Sequence, residues 1–169
     1  LYITYQYPGD VIGYLTNFFK ENADIVPEWM VTKMELLQTY DISLSAKITE
    51  LQSLIQRLER SYADKDDALK NRTELSNRMN KYQKDHLRDL ERTGIVRVNT
   101  NDLEVTANGS VPGNLLNQFA MDEYENHLRV ATTVGQNRNF FTFGSGQSES
   151  ENDVYILDSD LSTKSSVQG

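Results

Sequence analysis

The sequence predicts an α+β protein in which short antiparallel strands are interrupted by an all-α insertion. Three observations carry that expectation. Residues 1–7, LYITYQY, are rich in Tyr, Ile and Thr, stop at Pro8-Gly9 and read as a strand. Residues 10–93 space their apolar side chains three and four apart, the period of helices that bury one face. From Ile95 onward the period falls to two. The expected division is a β part made of residues 1–8 and 95–169, with a helical insertion of about four helices over 9–94.

In the insertion, Asp10 is placed to cap a first helix whose apolar face is Val11, Ile12, Leu15, Phe18 and Phe19. Pro27 is placed to begin a second, with Trp29, Met30, Lys33, Met34 and Leu37 at helical spacing. Asp41 or Ser43 can cap the third. Its stripe of Leu44, Ile48, Leu51, Ile55, Leu58 and Tyr62 suits an antiparallel neighbour. Asp64 can cap the fourth, whose stripe is Leu75, Met79, Tyr82, His86 and Leu90, with Thr93-Gly94 as its stop. The short link between the third and fourth predicts a helical hairpin within one chain rather than a coiled-coil dimer.

In the β part, IVRVNTNDLEVTANGSVPG alternates around a turn at residues 99–102, and FAMDEYEN with HLRVATTV form a pair about Asn126. GQNRNFFTFGSGQSESEN is a polar loop, and DVYILD with LSTKSSVQG form a last pair around DSD. About seven short strands at regular spacing fit a sandwich, a barrel or a propeller.

Composition bounds the function. The chain has 169 residues, enough for a real core, and a net charge of −8, which argues against nucleic acid or an anionic membrane as partner. It has no cysteine, so disulfides, Cys-based zinc sites and thiol catalysis are excluded. No apolar run approaches the roughly 20 residues that span a bilayer. Residues 10–93 carry 15 acids and 13 bases, as solvated amphipathic helices do, whereas the remainder carries 10 acids and 4 bases and is acidic. The opening on a strand without Met predicts a piece of a longer protein.

Three segments carry a resemblance: VPGNLLNQFAMDEYENHLRVATTVG (residues 111–135), NDVYILDSDLSTKSSVQG (152–169), and LYITYQ ahead of the helices. Together with the TGIV return to strand at Thr93–Val96, they resemble secreted archaeal and bacterial proteins with a C-terminal β-propeller domain distantly related to WD40 repeats. The resemblance implies a partial β-propeller of nearly two four-stranded blades, interrupted by the helices, and export from the cell. It implies no reaction. On that layout residues 1–7, 95–99 and 103–108 are strands b, c and d of one blade, and 119–124, 127–134, 153–158 and 161–167 are strands a to d of the next. Alternating strand directions then put the helical insertion, the 111–118 loop and the 135–152 loop on one face. The same layout requires residues near Tyr5 and Val96 to pair antiparallel.

The candidate chemistry is sparse. His86 reads as a packing residue on the fourth helix and His127 as a surface residue after a turn; neither sits in a metal-binding pattern. Asp122, Glu123 and Glu125, with Asp158 and Asp160, are compatible with a hard-cation site. Equally they read as solvent-facing strand acids and turn residues. The sequons at Asn71 and Asn108 occur at the frequency expected by chance. Phe140, Phe141 and Phe143 are unusual in a polar loop, and either form an interaction patch or fold down over the core.

The expected function is therefore a non-enzymatic, secreted or cell-surface binding or scaffolding module with a protein or cell-surface partner. Its candidate interaction face is Asn117, Gln118, Phe140 and Phe141. No catalytic residue, metal ligand or cofactor is assigned. The alternative is a hydrolase or metal-dependent enzyme using Asp122, Glu123 or Asp158 at the mouth of a blade. A third reading is a self-standing α+β domain with no propeller. Open sheet edges in either architecture predict a homodimer by edge pairing or domain swapping.

Overall fold

The structure is a computed structural model of the whole chain and describes residues 1–62, 66–135 and 150–169. It separates into two compact units. One holds residues 1–9 and the described residues from 86 to the end; the other holds the described residues of 10–85.

The first unit is two antiparallel sheets. Strands β1 (Tyr2–Pro8), β2 (Glu91–Val98) and β3 (Val105–Pro112) form a three-stranded sheet in the order β1-β2-β3. Strands β4 (Met121–Tyr124), β5 (His127–Val134), β6 (Glu151–Leu157) and β7 (Thr163–Gln168) form a four-stranded sheet in sequence order. The expected pairing of β1 across the insertion is present, with Ile3 opposite Val96 and Tyr5 opposite Gly94. Between β4 and β5, Glu125 and Asn126 both have positive φ, 48° and 61°, the backbone of a two-residue type I′ hairpin turn.

A single core joins the sheets. Ile95 and Val111 from the first, and Leu128, Val130, Tyr155 and Leu157 from the second, are buried together with Leu161 from the β6–β7 turn. The period-two pattern explains the selection: Leu128 and Val130 point inward while Arg129 between them and Ala131 after them face solvent. Burying each such side chain contributes about 1.5–3 kcal/mol. Gly109 on β3 permits the close contact of the two layers, because the Leu161 carbonyl occupies the space a β-carbon would need.

Strand β2 begins at Glu91, four residues before the expected Ile95, and the fourth helix ends at Asp85. Thr93-Gly94 is therefore not a helix stop but lies mid-strand. His86 and Leu90 do not continue the helical stripe. The glycine has a different cause: the Tyr5 ring fills the place where its side chain would be.

The second unit has helices α1 (Val11–Glu21), α2 (Glu28–Thr39), α3 (Leu44–Ser61) and α4 (Asp66–Asp85). Asp10 caps α1 by accepting from the Gly13 N–H at 2.9 Å, and Ser43 caps α3 by accepting from Ala46. Phe18, Met30, Met34, Leu37, Leu51, Leu58, Leu75 and Met79 are buried, as their spacing predicts. Leu54 is buried on α3, whereas Leu44 is exposed. Tyr82 of α4 packs edge-on against Tyr14 of α1 at 4.9 Å. Arg57 of α3 lies 4.5 Å over the Trp29 ring of α2. The Asp64 cap and the α3–α4 link lie outside the described residues. No helix of the described residues is long and apolar enough to cross a membrane.

Candidate functional site

The site is built along β1. Leu1 and Val98 exchange both backbone hydrogen bonds, at 3.1 and 2.8 Å, and Gly9 donates to Leu90 at 2.9 Å. In an antiparallel ladder such pairs alternate, so the odd-numbered residues of β1 direct their N–H and C=O groups at β2. The even-numbered residues Tyr2, Thr4 and Gln6 direct theirs away from β2, at the edge along which no strand of the described residues lies.

An open cleft of about 450 Å³ lies on this side, within the size range of ligand sites. Tyr2, Thr4, Tyr5 and Gln6 of β1 and Thr93 of β2 form one wall. Leu115, Asn117, Gln118 and Met121 from the segment leading into β4 form the other. Tyr2, Leu115 and Met121 also pack on the central core, which fixes their positions. Asn117 folds its wall locally: its side-chain oxygen accepts from the Phe119 N–H at 2.8 Å and caps a single 3₁₀ turn at Gln118–Ala120. That turn leaves the Phe119 ring 85 % exposed beside the cleft, with Leu116 also exposed.

The cleft is uncharged among the described residues that line it. A charge reaches its rim through the Tyr2 hydroxyl, which donates to Glu123 Oε2 at 3.2 Å. Burial, followed by the Glu123 charge and that hydrogen bond, raises the Tyr2 pKa and keeps the phenol neutral. The lining offers hydroxyls, amides and apolar side chains: groups that bind and orient, with no nucleophile–base pair among them.

Of the sequence-predicted face, Asn117 and Gln118 stand side by side on this wall. Phe140 and Phe141, with Phe143, lie outside the described residues. The chemistry missed by sequence reasoning is β1 itself, whose signal was a run of aromatic and β-branched residues with no charge.

The acidic candidates are distributed among separate partners. Asp122 is held by a two-pronged ion pair with Arg129, whose hydrogen bond lowers the Asp122 pKa. Glu123 accepts from Tyr2. Asp158 lies 3.1 Å from His127 Nε2 and 3.6 Å from Lys164. Asp160 accepts from the Ser162 hydroxyl and N–H inside the turn, and these bonds lower its pKa. His127 Nδ1 is 2.8 Å from the Glu125 carbonyl. His86, beyond α4, is 2.8 Å from Asp89.

A second polar cluster is buried rather than open. The Asp153 side chain is fully buried and receives Arg88 Nε and Nη2 at 2.8 Å each, the Tyr155 hydroxyl at 2.8 Å and the Gly169 N–H at 3.3 Å. Arg88 also donates to Glu151 at 2.8 Å. Burial pushes the Asp153 carboxyl up, but the bonds from Arg88 and Tyr155 outweigh it and hold the pKa below the usual carboxylate range. Burial and the Asp153 hydrogen bond push the Tyr155 phenol up to about 12. With both oxygens of Asp153 engaged, this cluster ties the segment before β2 to β6.

Comparison with known proteins gives a family and no activity. A family model described as a beta propeller domain matches residues 4–169. An uncharacterized protein of Archaeoglobus fulgidus is 38 % identical over 169 residues, the whole of this chain and 25 % of the relative. An uncharacterized protein of Methanocaldococcus jannaschii is 34 % identical over 172 residues, again the whole chain and 26 % of the relative. The chain thus spans about a quarter of the length of the curated relatives it matches. No solved structure matches it.

Proposed function

Since this chain belongs to the beta propeller domain family, we propose that it is a non-enzymatic binding or scaffolding module of an exported or cell-surface protein. In this reading the three-stranded sheet is strands b to d of one blade and the four-stranded sheet is the whole of the next, a partial propeller of WD40-like kind. The observation that carries it is the uncharged cleft between β1 and the 115–121 segment, flanked by the exposed Phe119 ring. Exposed aromatic side chains beside a polar-rimmed cleft are what protein interfaces use as anchors. The partner fitted is a protein or other cell-surface component, bound at Asn117, Gln118 and Phe119.

The test is comparative capture from the surface fraction of an archaeon that encodes a relative. A partner held by the unmodified chain and released by Phe119→Ser, a change at an exposed position, supports the reading. Turnover in a hydrolase screen together with no captured partner overturns it.

A further inference from the structure

Frequency alone gives the two sequons, Asn71-Arg72-Thr73 and Asn108-Gly109-Ser110, equal standing, but the fold separates them. Asn71 lies in the body of α4 and is half-buried. The Thr73 hydroxyl is turned into the helix and donates to the Leu69 carbonyl at 3.0 Å. Asn108 is exposed in the middle of β3. Its side-chain amide has no hydrogen-bond partner among the described residues.

The alternation of β3 sets where Asn108 points. Val111 turns into the core and Gly109 toward the Leu161 carbonyl, so Asn108 and Ser110 share the opposite face. Their backbone groups are free of the ladder as well. The odd-numbered residues of β1 bond to β2, so Val96 and Gly94, opposite Ile3 and Tyr5, direct their N–H and C=O groups at β1. Asn108 and Ser110 pair with Val96 and Gly94 from the other side, and therefore direct theirs away from β2. The Ser110 hydroxyl accepts from Arg92 at 2.9 Å, which leaves its own proton to donate. The amide, the hydroxyl and the backbone beside each of them are thus presented together, in extended form.

A further sheet laid on that face would leave Asn108 exposed. The second sheet shows why, because its own inner face packs on the first. There Val130 and Tyr155 are buried, whereas Ser166, opposite Tyr155 on β7, is exposed. Val130, Tyr155 and Ser166 are cross-strand neighbours, as Ile3, Val96 and Asn108 are in the first sheet. With β1–β3 and β5–β7 both taken as strands b to d, Asn108 holds the place of Ser166. A neighbouring sheet that covers strands b and c does not reach the side chain on strand d.

We propose that Asn108 is an N-glycosylation site, the acceptor of an oligosaccharide carried on a lipid phosphate. The inference rests on the export reading above, because the motif is modified in proteins that leave the cytoplasm. In the transfer, Asn108 Nδ2 forms a bond to the anomeric carbon of the first sugar. The bond from that carbon to the phosphate oxygen breaks, the lipid phosphate leaves with the electron pair, and the amide gives up one proton. Residues 105–112 hold no charged side chain, and no strand of the described residues lies along the outer side of β3. A bulky hydrophilic chain at Asn108 keeps that side of the strand from pairing with others.

Glycopeptide mass spectrometry of the whole protein from its own cells reads the site, with surface and cytoplasmic fractions analysed separately. Trypsin releases Asn108 on the peptide Val98–Arg129, and cleavage after glutamate releases Asn71 on Arg60–Glu74. The expected result is a glycan on the first peptide in the surface fraction and none on the second. Asn108→Gln and Ser110→Ala should each abolish the added mass. Ser110→Thr, which keeps the hydroxyl, should retain it, and so separates loss of the motif from damage to the strand. An unmodified Asn108 in protein found at the surface overturns the proposal and leaves the export reading standing. Protein found only inside the cell, and unmodified, overturns both. A glycan that survives Ser110→Ala, or one on Asn71 instead of Asn108, also overturns the proposal.

Discussion

The ring of Tyr5 lies over Gly94, its cross-strand partner, and fills the volume that any side chain at position 94 would need. Tyr5 in turn stacks on Tyr7 with ring centroids 5.6 Å apart. A glycine weakens a strand interior, and an aromatic neighbour laid across it restores the lost packing. Gly94→Ala therefore forces the ring or the strand to move, and should cost about 1–3 kcal/mol. In a Tyr5→Ala background the same substitution should be nearly neutral. Urea unfolding of the two single variants and the double variant measures the coupling; additive costs would sink this account.

Asp153→Asn should be among the most damaging single changes in the β unit. It keeps the shape but removes the charge that neutralises Arg88 and accepts from Tyr155. Breaking a buried pair from one side costs about 3–5 kcal/mol, and the low end applies because Arg88 is partly exposed. A fall in the urea midpoint without change in slope would confirm it; a loss under about 1 kcal/mol would place the pair with solvent-exposed bridges instead.

The same cluster sets the response to pH at both extremes. The folded Asp153 pKa is depressed, so its contribution is present above the unfolded value near 4 and is lost as pH falls through the folded value. The folded Tyr155 pKa is raised to about 12. Its contribution is full below the unfolded value near 10 and is lost as pH rises from there toward 12. Thermal unfolding across pH should show both limbs, and Tyr155→Phe should flatten the alkaline one. An unchanged alkaline limb in that variant would assign it to other groups.

Gly109→Ala should separate the two sheets' shared core. Its β-carbon would meet the backbone carbonyl of Leu161, itself buried at a positive φ of 65° and unable to retreat. Overpacking of this kind costs about 1–3 kcal/mol. Differential scanning calorimetry should show a lower Tm; an unchanged Tm would mean that the turn gives way.

Much of the fold was legible because strands and helices differ in period. The alternation in β5 and β6 and the three-four spacing in α1 to α3 each have a local cause. The start of β2 was not legible, because a glycine after a helical stripe carries the same signature whether it ends a helix or admits a neighbouring ring. Asn117 and Gln118 could be placed on a connecting segment, but the wall opposite them could not. Nothing within residues 1–7 says which side of the strand β2 will take, and hence which backbone groups stay free. Arg88 and Asp153 are 65 residues apart, beyond any local pattern.

Pro8 and Glu91 are cross-strand neighbours, and the Gly9 N–H bonds to the Leu90 carbonyl at 2.9 Å. The whole helical passage thus leaves and re-enters the β unit through a doorway one strand spacing wide. Any polypeptide whose two ends meet at that spacing can be seated there without moving the ladder, since closing a longer loop adds cost only logarithmically. A short Gly-Ser linker in place of residues 10–85, which keeps Arg88 on Asp153, should preserve the amide protection of β2, and loss of that protection would show the passage to be a prop rather than a guest. The socket, more than its present tenant, is what the two strands encode.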